Sequence, residues 1–394
     1  MCGIAGLVSL TPFDMSILKR MTDSMTHRGP DDSGYELIQS KNFFTGLGQR
    51  RLSIIDLSSF GHQPMTNEDK SIWITFNGEI YNYLELKDDL LKKGHLFRSN
   101  TDTEVIIHGY EEYGANFLNK MNGMFAFALW DIQSEKLFIA RDRFGKKPLY
   151  YSLIDKGIIF SSELKALTMH PEFIKRINYQ SLSLYLQFEY TPAPYSIYEN
   201  TFKLPAGHYL EFSSKGINIT KWWDIKIYES KKWNDYSEQE LIKILIDKLS
   251  KAVERRLISD VPLGVFLSGG IDSSIITALM ADIVPASRIK TFSIGFNENS
   301  FDESNYAKTV ADRFGTEHHQ KILSSKDMPD IIPTITNLLD EPYADASIIP
   351  TYLLSAFTKE HVTVALGGDG GDELFAGYDP FLADFWANQY TKIP

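Results

Sequence analysis

Residues 264–274 read Gly-Val-Phe-Leu-Ser-Gly-Gly-Ile-Asp-Ser-Ser, and this stretch decides how the C-terminal half folds. Gly264–Leu267 is a short apolar run that predicts a buried strand, and Ser274–Ile283 carries a helical pattern. Between them, Gly269 and Gly270 let backbone amides come close to an anion, beside a helix N-terminus whose free N–H groups and dipole favour negative charge. Ser268, Ser273 and Ser274 add hydroxyl donors. Asp272 would repel a phosphate unless a cation such as Mg2+ stood between them. The lysine of a Walker loop is missing, so this is a phosphate loop of a different kind.

Outward from this loop, strands and helices alternate. Strand Thr291–Phe296, helix Glu303–Phe314, helix Ile348–Lys359 and strand Val362–Leu366 follow in turn, a pattern that implies a doubly wound, largely parallel sheet. A second glycine-rich turn, Gly367-Gly368-Asp369-Gly370-Gly371-Asp372-Glu373, comes directly after the last of these strands. So many carboxylates cannot sit in an apolar interior without partners. At the carboxyl edge of an open α/β sheet they suit a metal ligand and close contact with a substrate, and as a surface turn they would simply be solvated. On the N-terminal side, Ser237–Leu257 reads as a long amphipathic helix opened by Ser237 and Glu240, a capping box. Before it, Tyr190–Leu210, with Pro192, Pro194 and Pro205, reads as a connector.

The first half has a different character. Gly3–Leu10, Gly46–Ile55, Ser71–Phe76, Phe125–Asp131 and Lys136–Arg141 are short β-type runs rich in Ile, Phe and Leu. Helical patterns at Asn82–Lys93 and Asp102–Tyr113 interrupt them. This is the signature of α+β layering. The 394 residues therefore make at least two domains. Net charge is −11, which argues against nucleic acid as the main partner. No apolar run is long enough for a membrane-spanning helix, and the start MCGIAGLVSL lacks the basic and apolar regions of a signal peptide. Cys2 is the only cysteine, which fits a reducing, cytoplasmic setting.

Cys2 becomes the first residue once the initiator methionine is removed, and its α-amine can then act as a base on its own thiol. A lone cysteine is otherwise read as a small buried hydrophobe. Three polar clusters in the same half give it company. Arg50-Arg51 offers a guanidinium able to grip a carboxylate. Asn77-Gly78-Glu79 offers an amide and a flexible backbone N–H, the material of an oxyanion hole. Asp102 suits either an ammonium group or the cap of the helix that follows it.

The ordered strings MCGIAG, HRGPDDSG (27–34), RLSIIDLS (51–58), NGEIYN (77–82), TDTEVI (101–106), GMFAFALWD (123–131), RDRFGKKPLYY (141–151), SGGIDSS (268–274) and GGDGGDELFAGY (367–378) resemble those of the glutamine-hydrolysing asparagine synthetases, members of the class II glutamine amidotransferases. The resemblance implies an α+β N-terminal-nucleophile hydrolase sandwich of α/β/β/α layers over residues 1–210. It also implies an α/β Rossmann-like ATP-pyrophosphatase domain over 211–394. By motif, Cys2 would attack the glutamine amide, with Asn77 and Gly78 as the oxyanion hole. Arg51, the backbone from Leu52 through Ile54 and Ile55, Glu79 and Asp102 would hold the rest of the glutamine. ATP would lie against Leu267, Ser268, Gly269, Gly270, Asp272, Ser273, Ser274, Ile294, Gly367 and Gly368. Asp272 and Asp372 would share Mg2+, and Asp369 would sit near the activated acyl group.

The implied reaction converts aspartate to β-aspartyl-AMP and then to asparagine, with ammonia passing through an internal channel. Similar proteins amidate uronic acids or other carboxylates instead, and the selecting residues would fall partly in Tyr343–Tyr352. A homodimer is expected on the same ground. The chain departs from the family at Gln49, where many relatives carry His. It also shows neither the later catalytic lysine nor the Arg-x-Pro-Phe segment. A chain truncated at its C-terminus is therefore expected, able to hydrolyse glutamine without completing amide synthesis.

Overall fold

Side chains of the strand Phe125–Asp131 alternate so strictly that they fix the layering of the first half. Phe125, Phe127 and Leu129 pack toward helices, while Ala126, Ala128 and Trp130 face a second sheet. The structure, a computed structural model, describes residues 1–226, 231–297, 302–324 and 329–392. The chain divides into two compact units. One comprises Met1–Glu229 with Asn337–Asp345, the other Ser230–Thr336 with Ala346–Pro394.

Among the described residues the first unit holds twelve strands, β1 (Gly3–Ser9), β2 (Asp32–Gln39), β3 (Phe44–Arg51), β4 (Met65–Thr66), β5 (Ile72–Ile80), β6 (Gly123–Asp131), β7 (Lys136–Arg141), β8 (Tyr150–Ile154), β9 (Gly157–Ser161), β10 (Thr201–Lys203), β11 (His208–Ser213) and β12 (Gly216–Lys221). They form two six-stranded sheets, ordered β10-β8-β9-β1-β3-β2 and β12-β11-β7-β6-β5-β4, each antiparallel throughout. Between the sheets lie Ile4, Val8, Leu47, Trp130, Ile139 and Leu210. Helix Met15–Asp23 covers the outer face of the first sheet through Leu18 and Met21, against Ala5 and Leu7. Helices Tyr83–Lys92 and Glu104–Tyr113 cover the second through Leu86, Leu90, Val105 and Ile106. The result is the α/β/β/α sandwich.

The second unit has a four-stranded sheet of β13 (Leu263–Phe266), β14 (Lys290–Phe296), β15 (Glu317–Leu323) and β16 (Val364–Leu366), ordered β15-β14-β13-β16 and parallel at each pairing. Val265 packs on Val253 and Met280 from the helices Glu238–Arg256 and Ile271–Ile283. Phe292 stands in register with Phe266, one residue out of step with Val265, and meets Phe357 of the helix Ile348–Lys359. Both faces of the sheet are therefore covered, as a parallel sheet requires. Among the described residues no helix is long and apolar enough to cross a membrane.

Several sequence expectations change at their edges. β3 ends at Arg51, not Ile55, because the Arg51 guanidinium donates to the carbonyls of Ile55, Asp56 and Ser58 and pulls residues 52–58 into a loop, with Asp56 at φ 55°. The helix after the phosphate loop begins at Ile271, three residues before Ser274. The supposed connector 190–210 contributes β10, which pairs with β8, and the start of β11.

Candidate active sites in the two units

Cys2 precedes β1 at the rim of the first sheet and is partly exposed. Leu52, just past β3, frames the thiol. Its N–H stands 3.4 Å from Sγ, and its carbonyl oxygen accepts from the thiol at 3.6 Å. Burial pushes the thiol pKa up. The Leu52 N–H pulls the other way, as do the charges of the terminal amine, Lys147 and Arg51. Burial also lowers the ammonium of Met1 to about 5.

Asn77 lies in β5, 1% exposed, and neither its Nδ2 nor its Oδ1 has a hydrogen-bond partner. A buried amide with both ends unmet is costly unless a ligand completes it. Just before it, Gln49 donates to the Phe76 carbonyl at 2.8 Å and fixes the strand. Gly78 has no room for a side chain, since a Cβ there would stand 2.3 Å from the Met124 carbonyl oxygen. Glu79 and Asp102 are both buried and their charges interact. Burial raises the Asp102 carboxyl to about 7, helped by Glu79 and opposed by the Ile80 N–H, which donates to it at 2.8 Å. Asp102 is not the helix cap, a position held by Thr103 without a side-chain bond. Two of the three Arg51 nitrogens are engaged by the 55–58 carbonyls, so it braces the loop that carries Leu52, Ile54 and Ile55.

Three neighbours escaped the sequence reading. Lys147 is 4% exposed, with its ammonium depressed by burial, and its charge reaches Cys2 and Glu79. Asp142 accepts four backbone N–H bonds, from Phe125, Phe144, Lys146 and Lys147, and shapes the turn that delivers Lys147. Arg28 donates through Nε to the Cys2 carbonyl at 2.9 Å and through Nη1 to Glu163 at 3.0 Å. Lys147 and Arg28 lie in quoted strings, but nothing local in the sequence pairs either with residue 2.

In the second unit the phosphate loop leaves the carboxyl end of β13. Gly269 has φ +87°, and a Cβ there would stand 2.5 Å from the backbone of Tyr306 and Ala307. Only glycine suits that position. Ser268 Oγ lies 3.0 Å from Ser273 Oγ, and Ser274 Oγ donates to the Gly270 carbonyl at 2.7 Å. A cavity of about 500 Å³ opens here. Leu267, Ser268, Asp272, Ser273 and Ile294 line it on one side, Gly367, Gly368, Asp369 and Asp372 on the other. Gly269, Gly270 and Ser274 shape the loop without lining the cavity. Pro350 and Thr351, which fall in the expected selecting stretch Tyr343–Tyr352, line it from the helix Ile348–Lys359; sequence reading missed Leu354 of the same helix and Glu303 before the helix Ser304–Phe314, which line it too.

Glycines clear space for the carboxylates. A Cβ on Gly371 would fall 2.2 Å from Asp272 Oδ2, and one on Gly377 would fall 2.0 Å from Asp372 Oδ1. Asp272 and Asp372 both line the cavity, and carboxylate oxygens are the ligand type that a hard divalent cation such as Mg2+ takes.

Residues 1–223 match a glutamine amidotransferase domain family, and residues 245–394 match an asparagine synthase family. The chain is 40% identical over 416 residues to a putative asparagine synthetase [glutamine-hydrolyzing] 2 of Methanocaldococcus jannaschii, covering 100% of this chain and 79% of that one. It is 37% identical over 401 residues to asparagine synthetase [glutamine-hydrolyzing] 1 of Bacillus subtilis, again covering 100% of this chain but 61% of the relative. Among solved structures it is similar to one titled the allosteric regulatory enzyme of purine biosynthesis, with TM-score 0.44 and 15% identity, over 82% of this chain and 80% of that one.

Proposed function

The chain belongs to the glutamine-hydrolysing asparagine synthetase family, and from that premise we propose that it releases ammonia from glutamine at Cys2 and uses it to amidate an ATP-activated carboxylate, aspartate in the first instance. The observation that carries the glutaminase half is Asn77. Its amide is buried and unmet beside the strand end that also carries Gly78.

With Met1 removed, the Cys2 amine takes the thiol proton and Sγ attacks the amide carbon of glutamine. The developing oxyanion is met by Asn77 Nδ2–H and the Gly78 N–H. Collapse expels ammonia, which leaves with the proton held by the amine, and water then cleaves the thioester to glutamate. Asp102 and Glu79 supply negative charge for the glutamine ammonium. Arg51 and the loop it braces would hold the carboxylate end.

In the second unit, Ser268, Ser273 and the loop amides suit the pyrophosphate portion of ATP, with Leu267 and Ile294 against the base. Asp272 and Asp372 would hold Mg2+, which would neutralise phosphate charge there. Asp369, which lines the cavity, would sit near the activated acyl group. The runner-up reading keeps both half-reactions and changes the acceptor to another carboxylate, such as a uronic acid; Glu303, Asp369 and Glu373 on the cavity wall would meet either one. The reactive thiol suits a cytoplasmic setting, and a homodimer belongs to the same reading.

The test is mass spectrometry after mixing the protein with amide-labelled glutamine, ATP, Mg2+ and either aspartate or a uronic acid. Labelled glutamate-side ammonia release that Cys2→Ala abolishes supports the glutaminase. Labelled asparagine with AMP supports aspartate as acceptor. Turnover without Cys2 would refute the mechanism.

A further inference from the structure

Residues 337–345 belong to the first unit although the residues before and after them belong to the second. This strap is seated by two partly buried carboxylates. Asp340 accepts from the backbone N–H of Leu164 at 2.6 Å and of Lys165 at 3.3 Å. Lys165 Nζ donates to the carbonyls of Asn337 and Leu338 at 3.4 and 3.2 Å, and lies 3.6 Å from Asp340 and 3.3 Å from Glu163 Oε2. Glu341 pairs with Lys203 and accepts from Tyr150 at 3.4 Å and Ile197 N–H at 3.3 Å. Ala344 N–H donates to the Glu189 carbonyl at 2.9 Å.

From Lys165 the contacts run on without a gap to the nucleophile. Glu163 Oε1 binds His27 at 2.9 Å and Arg28 at 3.0 Å, and Arg28 Nε holds the Cys2 carbonyl. Burial works against the Glu163 charge, yet Arg28 and His27 outweigh it and keep the carboxyl below its usual range. Glu163 is thus the hub on which both Arg28 and Lys165 draw.

Taking Cys2 as the nucleophile, we infer that Asp340 is a positioning residue for it, holding Lys165 toward the strap so that Glu163 stays committed to Arg28. Without the Asp340 carboxylate, Lys165 turns fully to Glu163, the Arg28 pair slackens, and the Cys2 carbonyl loses its anchor. The glutaminase centre then depends on a strap whose chain continues at each end into the unit with the phosphate loop. The Asp340 carboxyl, raised to about 6 by burial and by Glu163, is consistent with carboxylates crowded around one lysine.

Asp340→Ala, Asp340→Asn, Lys165→Met and wild type are compared by glutamate release, by thermal denaturation and by iodoacetamide labelling against pH. Because Cys2 is the only cysteine, labelling reports that thiol alone. Asp340→Ala and Asp340→Asn, which both leave Lys165 free to turn to Glu163, are expected to lower kcat about tenfold with the glutamine KM within about twofold, and to move the labelling midpoint. Lys165→Met, which removes the competitor for Glu163, is expected to stay near wild type in both. Wild-type kcat and an unmoved labelling midpoint in Asp340→Ala would overturn the inference. So would a loss in Lys165→Met as large as that in Asp340→Ala, or losses that only track the melting temperature. A wild-type protein that releases no glutamate refutes the nucleophile reading instead, while the labelling midpoints still judge the strap.

Discussion

At the residue scale, Asn77 and Asp102 make separable predictions. Asn77→Ala removes an oxyanion donor whose loss is felt when charge develops, so kcat for glutamate release is expected to fall about 10²–10³-fold with little change in KM. Steady-state assays of the purified variant check this. Asp102 has its carboxyl raised to about 7 by burial and by Glu79, and binds the glutamine ammonium only when ionised. The glutamine KM is therefore expected to rise as pH falls below about 7 and to level off above it, whereas Asp102→Asn should show a high KM with no such slope. An unchanged slope in the variant would move the titration to another group. Sequence reading found these two because their types name their chemistry. It missed Lys147 and Glu163, whose meaning comes only from partners more than a hundred positions away.

At the element scale, helix Glu104–Tyr113 is tied down by His108, which is 1% exposed and donates to Glu111 at 2.7 Å, with Glu104 at 3.8 Å. Burial opposes its charge, but Glu104 and Glu111 outweigh that and raise it to about 9. A raised pKa means the stabilisation is full below about 6.5 and is lost as pH rises through about 9. His108→Gln should therefore cost roughly 1–3 kcal/mol at pH 6 and much less at pH 10, as read by denaturant melts at both. Elements were legible where period and turn chemistry agreed, as in β7 and the helix Ile348–Lys359, which match their expected runs, and β6, which only starts two residues earlier, at Gly123. They blurred where a distant side chain decides the end, as Arg51 does for β3. Gly269→Ala belongs here too. With φ +87° and no space for a Cβ, it should displace the loop and weaken ATP binding at least tenfold, measured by calorimetric titration.

At the scale of the whole molecule, each of the two units has its own apolar core. Two calorimetric transitions are expected, each raised by its own ligand. A γ-electrophilic glutamine analogue bound at Cys2 should shift only the first unit, and ATP with Mg2+ only the second, by about 2.7 kcal/mol at a hundred times Kd. A single transition moved by both would contradict that independence. The order of pairing within these units also sets a timetable for synthesis. β13 lies at the centre of its sheet, yet its partner β16 comes from far along the chain, with Val265 opposite Leu366. The strap that seats on the first unit ends at Asp345. On the ribosome, the phosphate loop thus emerges long before its floor exists, and the nucleophile's sheet closes before its brace arrives. Between Ser274 and Asp345 the nascent chain therefore carries two unfinished sites, and a pause there would leave both exposed to chaperones at once.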